Sequence, residues 1–270
     1  AGGDCCRAEL IRQNHQRKPL GNAARVLGQD PKMLSLDNYY LDRDAIPADK
    51  NGQKDLEHIN TLDIPRFSSD LAALMRGEEV EVPVFDFLTG RRAKDSIVMR
   101  LHPDEPLIIE GIHALNPMLL NDDIDRDKLF RVYVSALTTL NIDDHNRIHT
   151  TDARLLRRLV RDYETRGASM EHTLSMWPSV RRGEETWIFP YQENADALFN
   201  TTLVYEVSVL KKYVYPLLQE VPKESPCYAA ARDITKVLNY FLDAEDIEDE
   251  IPPTSILREF IGGCTFYRKD

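Results

Sequence analysis

The stretch Pro106-Leu107-Ile108-Ile109-Glu110-Gly111 decides the fold class of this 270-residue chain. A continuous apolar run closed by a carboxylate and a glycine is typical of a central parallel strand that is buried on both faces. Residues 33–36 form a second short apolar run, which leads into Asp37-Asn38-Tyr39-Tyr40, and residues 130–134 form a third. Strands that alternate with helical segments predict an α/β fold with a mostly parallel sheet flanked by helices. Such folds keep their chemistry in the loops at strand ends.

One part of the chain departs from this alternation. A helix is expected over residues 64–76, because Gly77 suits a left-handed C-cap. Residues 80–87 and 96–101 then alternate like two strands around the turn Thr89-Gly90-Arg91. We therefore expect a small β-hairpin beside the main sheet.

The remaining helices are predicted in the second half of the chain. Residues 151–166 are helical in pattern and heavily basic, and two more helices are expected at about 203–218 and 228–242. Because Arg154, Arg158 and Arg161 recur at helical spacing, they share one face. That face is either a local anion site or an ordinary solvated surface paired with Asp152 and Asp162.

Composition argues against several classes of partner and location. The chain has 34 Lys+Arg and 45 Asp+Glu, a formal net charge of −11, which argues against broad binding to nucleic acid or an anionic membrane. No apolar run approaches the roughly 20 residues that cross a bilayer, and the first residues lack a signal-peptide profile, so we expect a cytoplasmic protein. Neither a disulfide framework nor a zinc site is expected from the four cysteines, Cys5, Cys6, Cys227 and Cys264.

Three features could together support phosphoryl transfer: Asp37 at one strand end, Glu110 at another, and the arginine-rich helix. That reaction needs a base for the acceptor hydroxyl, a carboxylate-held metal and cations around the migrating charge. A carboxylate at the end of an apolar strand suits Mg²⁺, which prefers oxygen ligands. The structural alternatives are an Asx turn or N-cap for Asp37 and a helix cap for Glu110.

Several short motifs resemble those of the uridine kinase and phosphoribulokinase family of ATP-dependent kinases. They are Ser35-Leu36-Asp37-Asn38-Tyr39-Tyr40, Val84-Phe85-Asp86-Phe87, Ile108-Ile109-Glu110-Gly111-Ile112, Arg157-Arg158-Leu159-Val160-Arg161-Asp162 and Glu164-Thr165-Arg166-Gly167. The match runs from about residue 25 to residue 200. The tail at residues 255–263 resembles that of longer bacterial uridine-kinase-like members, which usually carry an extra N-terminal region. On this resemblance the chain is expected to be the kinase portion of a larger protein.

The resemblance implies a P-loop-kinase-like fold with the hairpin as an insertion and a helical C-terminal extension. It implies ATP and Mg²⁺ as cofactors, Asp37 as the general base and Glu110 in the magnesium shell. Arg161 and Arg166 would be lid cations that hold phosphates. Four residues fall where nucleoside kinases line their acceptor pocket: Tyr40, Glu57, which would grip the ribose, Phe85 and Arg158.

The sequence leaves the identity of the phosphoryl acceptor undecided. Where nucleoside kinases carry a base-reading His after their Tyr-Asp-Phe motif, this chain has Gly90, and their later Arg and Gln positions fall on Ala168 and Met176. A pocket without these groups cannot discriminate pyrimidines in the same way. The leading interpretation is a kinase for the 5′-hydroxyl of a pyrimidine nucleoside. The alternatives are another sugar or alcohol acceptor and a catalytically impaired nucleotide-binding module. The expected partner is this small molecule, without nucleic acid or membrane, and a homo-oligomer is left open.

The phosphate loop of this family, Gly-x-x-x-x-Gly-Lys-Ser/Thr, is missing from the sequence. Residues 1–15 show no strand run and no lysine after a glycine. A reading frame displaced by one nucleotide would let residues 7–15 read Gly-Pro-Ser-Ser-Ser-Gly-Lys-Thr-Thr. We therefore expect an atypical segment over 1–24, with genuine divergence as the alternative, and poor ATP binding by the chain as written. A kinase domain would follow over 25–220 and a C-terminal helical extension over 221–270.

Overall fold

The computed structural model describes residues 8–11, 17–46, 54–87, 89–138, 140–244 and 247–266, with backbone alone at 8–11 and 17. Its strands are β1 (Ala8–Ile11), β2 (Lys32–Ser35), β3 (Val80–Asp86), β4 (Arg91–Met99), β5 (Leu107–Glu110), β6 (Leu129–Ser135) and β7 (Ala197–Asn200). Its α-helices are α1 (Arg17–Val26), α2 (Ile64–Met75), α3 (Thr150–Arg166), α4 (Met170–Trp187), α5 (Glu206–Gln219), α6 (Tyr228–Leu238) and α7 (Arg258–Ile261). Most of the predicted atypical segment, residues 1–7 and 12–16, lies outside the described residues.

The main sheet has the strand order β2-β5-β1-β6-β7, and its first four strands run parallel. All four residues of β5 are buried, which confirms the predicted central strand. In the β2–β5 register Ser35 lies opposite Glu110, so these two strands end at the same edge. The expectation that the opening residues contain no strand is wrong, because Ala8–Ile11 pairs with both β5 and β6. Two apolar neighbouring strands override the weak local signal of this short segment.

α2 confirms the predicted helix at residues 64–76. The Asp63 side chain accepts a hydrogen bond from Arg66 N (3.2 Å) and caps the N-terminus. Phe67, Leu71 and Leu74 are spaced by four and three residues and are fully buried in the core beside β5. The helix ends before Gly77, whose φ of +77° is the left-handed conformation that glycine adopts without strain.

The predicted hairpin is also present, as the antiparallel pair β3 and β4. Val80 lies opposite Met99, and the register shifts between Pro83 and Phe85. Gly90 has a φ of +67° in the turn between the strands, where a β-carbon would be strained. The mostly parallel sheet, the flanking helices and the separate hairpin together confirm the predicted fold class.

The chain divides into two compact units. Unit 1 contains Ala1–Val134 and Arg181–Phe199, and unit 2 contains Ser135–Val180 and Asn200–Asp270. The predicted boundary between a kinase domain and an extension at residue 220 stays a prediction. None of the described helices is long and apolar enough to cross a bilayer.

Unit 2 is built on an apolar core to which α3, α5, α6 and α7 contribute. A buried ion pair crosses this core, between Arg157 of α3 and Glu206 of α5. The Arg157 guanidinium also donates to the Thr201 hydroxyl (3.0 Å) and carbonyl (2.6 Å), and it lies 5.5 Å from the centre of the Phe260 ring. The buried Arg157 guanidinium therefore connects α3 with α5 and α7.

We predict that E206L lowers the free energy of unfolding by about 3–5 kcal/mol, because it leaves a buried guanidinium without its counter-charge. The double variant R157M/E206L is expected to be more stable than E206L, since it leaves no unpaired charge in the core. Urea denaturation of the two variants and the parent measures both effects. A double variant at least as unstable as E206L would contradict this account.

Candidate active site

Asp37 and Glu110 leave neighbouring strands at the same edge of the sheet. Glu110 is the last residue of β5 and is fully buried. Asp37 follows β2 by two residues, in a short 3₁₀ turn over Leu36–Tyr39, where the Ser35 hydroxyl accepts a hydrogen bond from Asp37 N (3.3 Å). The two strand ends are packed tightly, since a β-carbon added at Gly111 would lie 2.7 Å from the Leu36 β-carbon. Only glycine fits there, so the turn that carries Asp37 can approach the strand that carries Glu110.

The Tyr40 hydroxyl brings three predicted acidic residues together. Burial raises the pKa of this phenol far above its ordinary value, and the charges of Asp37, Glu57 and Glu110 raise it further. Charges act strongly on a titrating group only at short range in a poorly hydrated site. The three carboxylates therefore all act on this one phenol, which stays protonated. We name them the carboxylate cluster.

Contacts from the hairpin and from α2 hold the turn that carries Asp37 and Tyr40. Arg92 of β4 donates to Tyr40 O (3.2 Å), Tyr39 O (3.4 Å) and Asp63 Oδ2 (2.9 Å). Asp63, the N-cap of α2, donates its own N–H to Tyr39 O (2.8 Å). Arg92 and Asp63 were not predicted as site residues from the sequence, because they are distant in sequence from the motif that they support. The Asp residue before the predicted helix was the one available signal, as an N-cap.

Aromatic rings border the carboxylate cluster on the hairpin side. The Tyr40 ring lies 5.6 Å from Phe85 and 6.1 Å from Phe87, and Phe85 lies 5.1 Å from Phe87, all measured between ring centres. Phe85 is buried, while Phe87 is about half exposed. The structure thus places the predicted Phe85 beside the predicted Tyr40, and it adds Phe87 at the exposed end. We name these three rings the aromatic cluster.

The segment that carries Glu57 is held by helix α4. The Glu57 β-carbon packs directly on Gly183 in the C-terminal part of α4, where a side chain would collide. The neighbouring His58 ring lies 4.2 Å from the Trp187 ring. Trp187 thus contacts the segment that carries Glu57.

Three arginines of unit 2 gather around one buried carboxylate. Asp162 accepts from Arg158 Nε (3.2 Å) and Arg166 Nη1 (3.0 Å), and Arg161 Nε lies 3.7 Å from it. The alternative that Asp162 is only a surface partner is wrong, because its side chain is buried. Burial lowers the pKa of Arg161, and the nearby charges of Arg166 and Arg158 lower it further. The charges of Asp162 and Glu259 raise the same pKa, so three arginines gather where two carboxylates act, and this excess of positive charge favours an anion.

The predicted site residues thus fall into two groups. Unit 1 brings together Asp37, Tyr40, Glu57, Phe85 and Glu110, and unit 2 brings together Arg158, Arg161 and Arg166. Of the segment 1–24 predicted to replace the phosphate loop, residues 1–7 and 12–16 lie outside the described residues, while residues 8–11 form β1 and residues 17–24 lie in α1.

The carboxylates of unit 1 could supply only some of the ligands that Mg²⁺ needs. Among the described residues no three His, Cys, Asp or Glu side chains are placed to hold a metal ion together. Mg²⁺ is commonly bound by one or two carboxylates, with the remaining positions filled by phosphate oxygens and waters. A fully buried carboxylate at a strand end fits that mode of binding.

Comparisons with known proteins agree with this geometry. A model of the phosphoribulokinase/uridine kinase family matches residues 17–208. A uridine kinase of Chlamydia pneumoniae is 29% identical over 178 residues, covering 66% of this chain and 72% of that protein. A uridine kinase of Halobacterium salinarum is 27% identical over 173 residues, covering 64% of this chain and 68% of that protein.

The phosphoribulokinase structure from Rhodobacter spheroides matches with a TM-score of 0.51 at 10% identity, covering 73% of this chain and 71% of that one. At this identity the likeness concerns the fold alone. The family match, in contrast, includes the turn after β2, the end of β5 and the arginines of α3. The chain therefore belongs to the phosphoribulokinase/uridine kinase family of kinases.

Proposed function

We propose that this chain transfers the γ-phosphoryl group of ATP to the 5′-hydroxyl of a pyrimidine nucleoside. The observation that carries the proposal is that β2 and β5 end at one edge of the sheet, which brings Asp37 and Glu110 together, and the carboxylate cluster acts on Tyr40 there. Active sites of open parallel sheets lie at the carboxyl ends of the strands. The two relatives described above are both uridine kinases, which supports a nucleoside as the acceptor.

In the proposed reaction Asp37 acts as the general base. As the acceptor oxygen attacks the γ-phosphorus, its proton passes to the Asp37 carboxylate, and the bond from the γ-phosphorus to the bridging oxygen breaks to release ADP. Asp37 suits this role because it stands on a turn fixed by Arg92 and Asp63, and fixed geometry provides much of the rate in phosphoryl transfer. Tyr40, which stays protonated, can donate a hydrogen bond to the acceptor or to a carboxylate.

Glu110 is the residue that would hold Mg²⁺, with the phosphate oxygens of ATP supplying further ligands. When bound, Mg²⁺ neutralises the charge that develops on the phosphates. Glu57 would grip the ribose, and its packing on Gly183 keeps its backbone in one place.

Arg161 and Arg166 would hold the phosphates of ATP, and Arg158 would line the acceptor pocket. Asp162 fixes the guanidinium groups of Arg158 and Arg166, so their remaining donors are already oriented before an anion binds. Orientation in advance is what makes cationic groups effective in the transition state.

The first test measures ADP release with a panel of nucleosides and other alcohols. It compares the chain as written with a variant in which residues 7–15 read Gly-Pro-Ser-Ser-Ser-Gly-Lys-Thr-Thr. We expect nucleoside-dependent ADP release from the repaired chain and much weaker release from the chain as written, because the loop amides and lysine cradle the phosphates. Release only with a different alcohol would change the acceptor. Because the replacement includes β1, circular dichroism first checks that the repaired chain is folded. No release from a folded repaired chain would favour a non-catalytic module.

A second test examines Asp37 in the repaired chain. D37N is expected to lower kcat by roughly 10²–10⁴-fold, the usual contribution of a general base, while the KM for ATP changes little. Asp44→Asn is the matched control, because Asp44 is exposed and pairs with Arg91 (2.7 Å) rather than with the carboxylate cluster. A kcat for D37N within a few-fold of the control's would remove Asp37 from the role of base.

A third test examines the arginines of α3. R161M and R166M are each expected to raise the KM for ATP and to lower kcat, up to the roughly 10³–10⁵-fold loss seen when a transition-state arginine is removed. Arg232→Met, an exposed change on α6, serves as the control for loss of one positive charge in unit 2. Unchanged kinetics in both α3 variants would contradict a phosphate-binding role.

A further inference from the structure

The exposed end of the aromatic cluster carries an arginine that the proposed reaction does not use. Arg43 lies in a short 3₁₀ turn over Arg43–Ala45, beyond Tyr40 in the sequence. Its Nη2 donates to Phe87 O (3.3 Å), and its backbone N–H donates to Gly90 O (2.9 Å). The guanidinium thus lies across the hairpin turn, at the exposed edge of the aromatic cluster.

Gly90 provides the space that this side chain occupies. A β-carbon at Gly90 would lie 2.5 Å from Arg43 Cδ and 2.8 Å from Arg43 Nε. The absence of a side chain at residue 90 and the position of Arg43 are therefore two parts of one arrangement. The Arg43 side chain thus fills the space that a side chain at residue 90 would occupy.

The Arg43 guanidinium has more N–H donors than its hydrogen bond to Phe87 O uses. Arginine carries five N–H donors and no acceptor, and the bond to Phe87 O uses one of them. Within the part of the chain that the structure describes, no side chain forms an ion pair with Arg43. A ligand group read by these donors has to be a hydrogen-bond acceptor.

The order of groups along the site fixes which part of a nucleoside meets Arg43. The Tyr40 hydroxyl faces the carboxylate cluster, while its ring belongs to the aromatic cluster. A nucleoside with its ribose at the carboxylates therefore stacks its base on the rings. In a pyrimidine, ring position 4 is opposite N1, which bears the ribose, so position 4 points toward the exposed end.

We propose, on the basis of the function proposed above, that Arg43 reads the carbonyl oxygen at position 4 of the base. Uracil presents an acceptor at this position, whereas cytosine presents an amino group that donates. A guanidinium, which has donors only, can hydrogen-bond to the uracil oxygen but not to the hydrogens of the cytosine amino group. Arg43 is thus a specificity-determining residue that selects uridine over cytidine.

The test is nucleoside binding by isothermal titration calorimetry, which needs no phosphate loop. The parent chain is expected to bind uridine about tenfold more tightly than cytidine, the scale of one hydrogen bond to a charged group. Arg43→Ala should weaken uridine about tenfold and leave cytidine within about twofold, so that the preference disappears. Gly90→Ala should do the same, because its β-carbon displaces the Arg43 side chain without removing it.

Arg91→Ala is the matched control, since Arg91 is the neighbouring arginine of the same hairpin but pairs with Asp44, and it should keep the preference for uridine. Equal binding of the two nucleosides by the parent, or an unchanged preference in Arg43→Ala, would overturn this inference while the nucleoside kinase function stands. Binding of neither nucleoside would overturn the proposed function and this inference with it. Circular dichroism of each variant separates these outcomes from loss of fold.

Discussion

The parallel pairing of β2 with β5 is the constraint on which the rest of the site depends. Because Ser35 lies opposite Glu110, the two strands end at the same edge of the sheet. Gly111 then lets Leu36 approach to a distance that any side chain at residue 111 would prevent. Asp37 and Glu110, 73 residues apart in the numbering, become neighbours through backbone register and one glycine. A one-residue slip of this register would turn the side chains of one strand to the other face of the sheet.

Charge is distributed unevenly within the two units, although the chain as a whole is acidic. In unit 1, the charges of three carboxylates act on one buried phenol. In unit 2, three arginines surround one buried aspartate and leave a positive surplus. Each unit therefore gathers charged side chains of mainly one sign at one place.

Much of the fold was predictable because its signals are local. The buried run at β5, the cap and C-terminal glycine of α2 and the alternation of the hairpin strands each depend on a few adjacent residues. β1 could not be predicted, because its pairing with β5 and β6 comes from the neighbours rather than from its own four residues. The same distinction applies to the site. The sequence motifs located Asp37, Tyr40 and Glu110, but not the long-range contacts from Arg92 that hold their turn, nor the burial of Asp162.

The convergence of the carboxylate cluster on Tyr40 is the central claim, and the titration of this one hydroxyl tests it directly. NMR of ring-labelled tyrosine, with Tyr40→Phe to assign the signal, measures its pKa in the folded protein. We expect Tyr40 to stay protonated above the pH of about 10 at which an exposed tyrosine ionises, and we expect Glu57→Gln or Glu110→Gln to lower its pKa. A Tyr40 that titrates like an exposed tyrosine and ignores both substitutions would contradict this account.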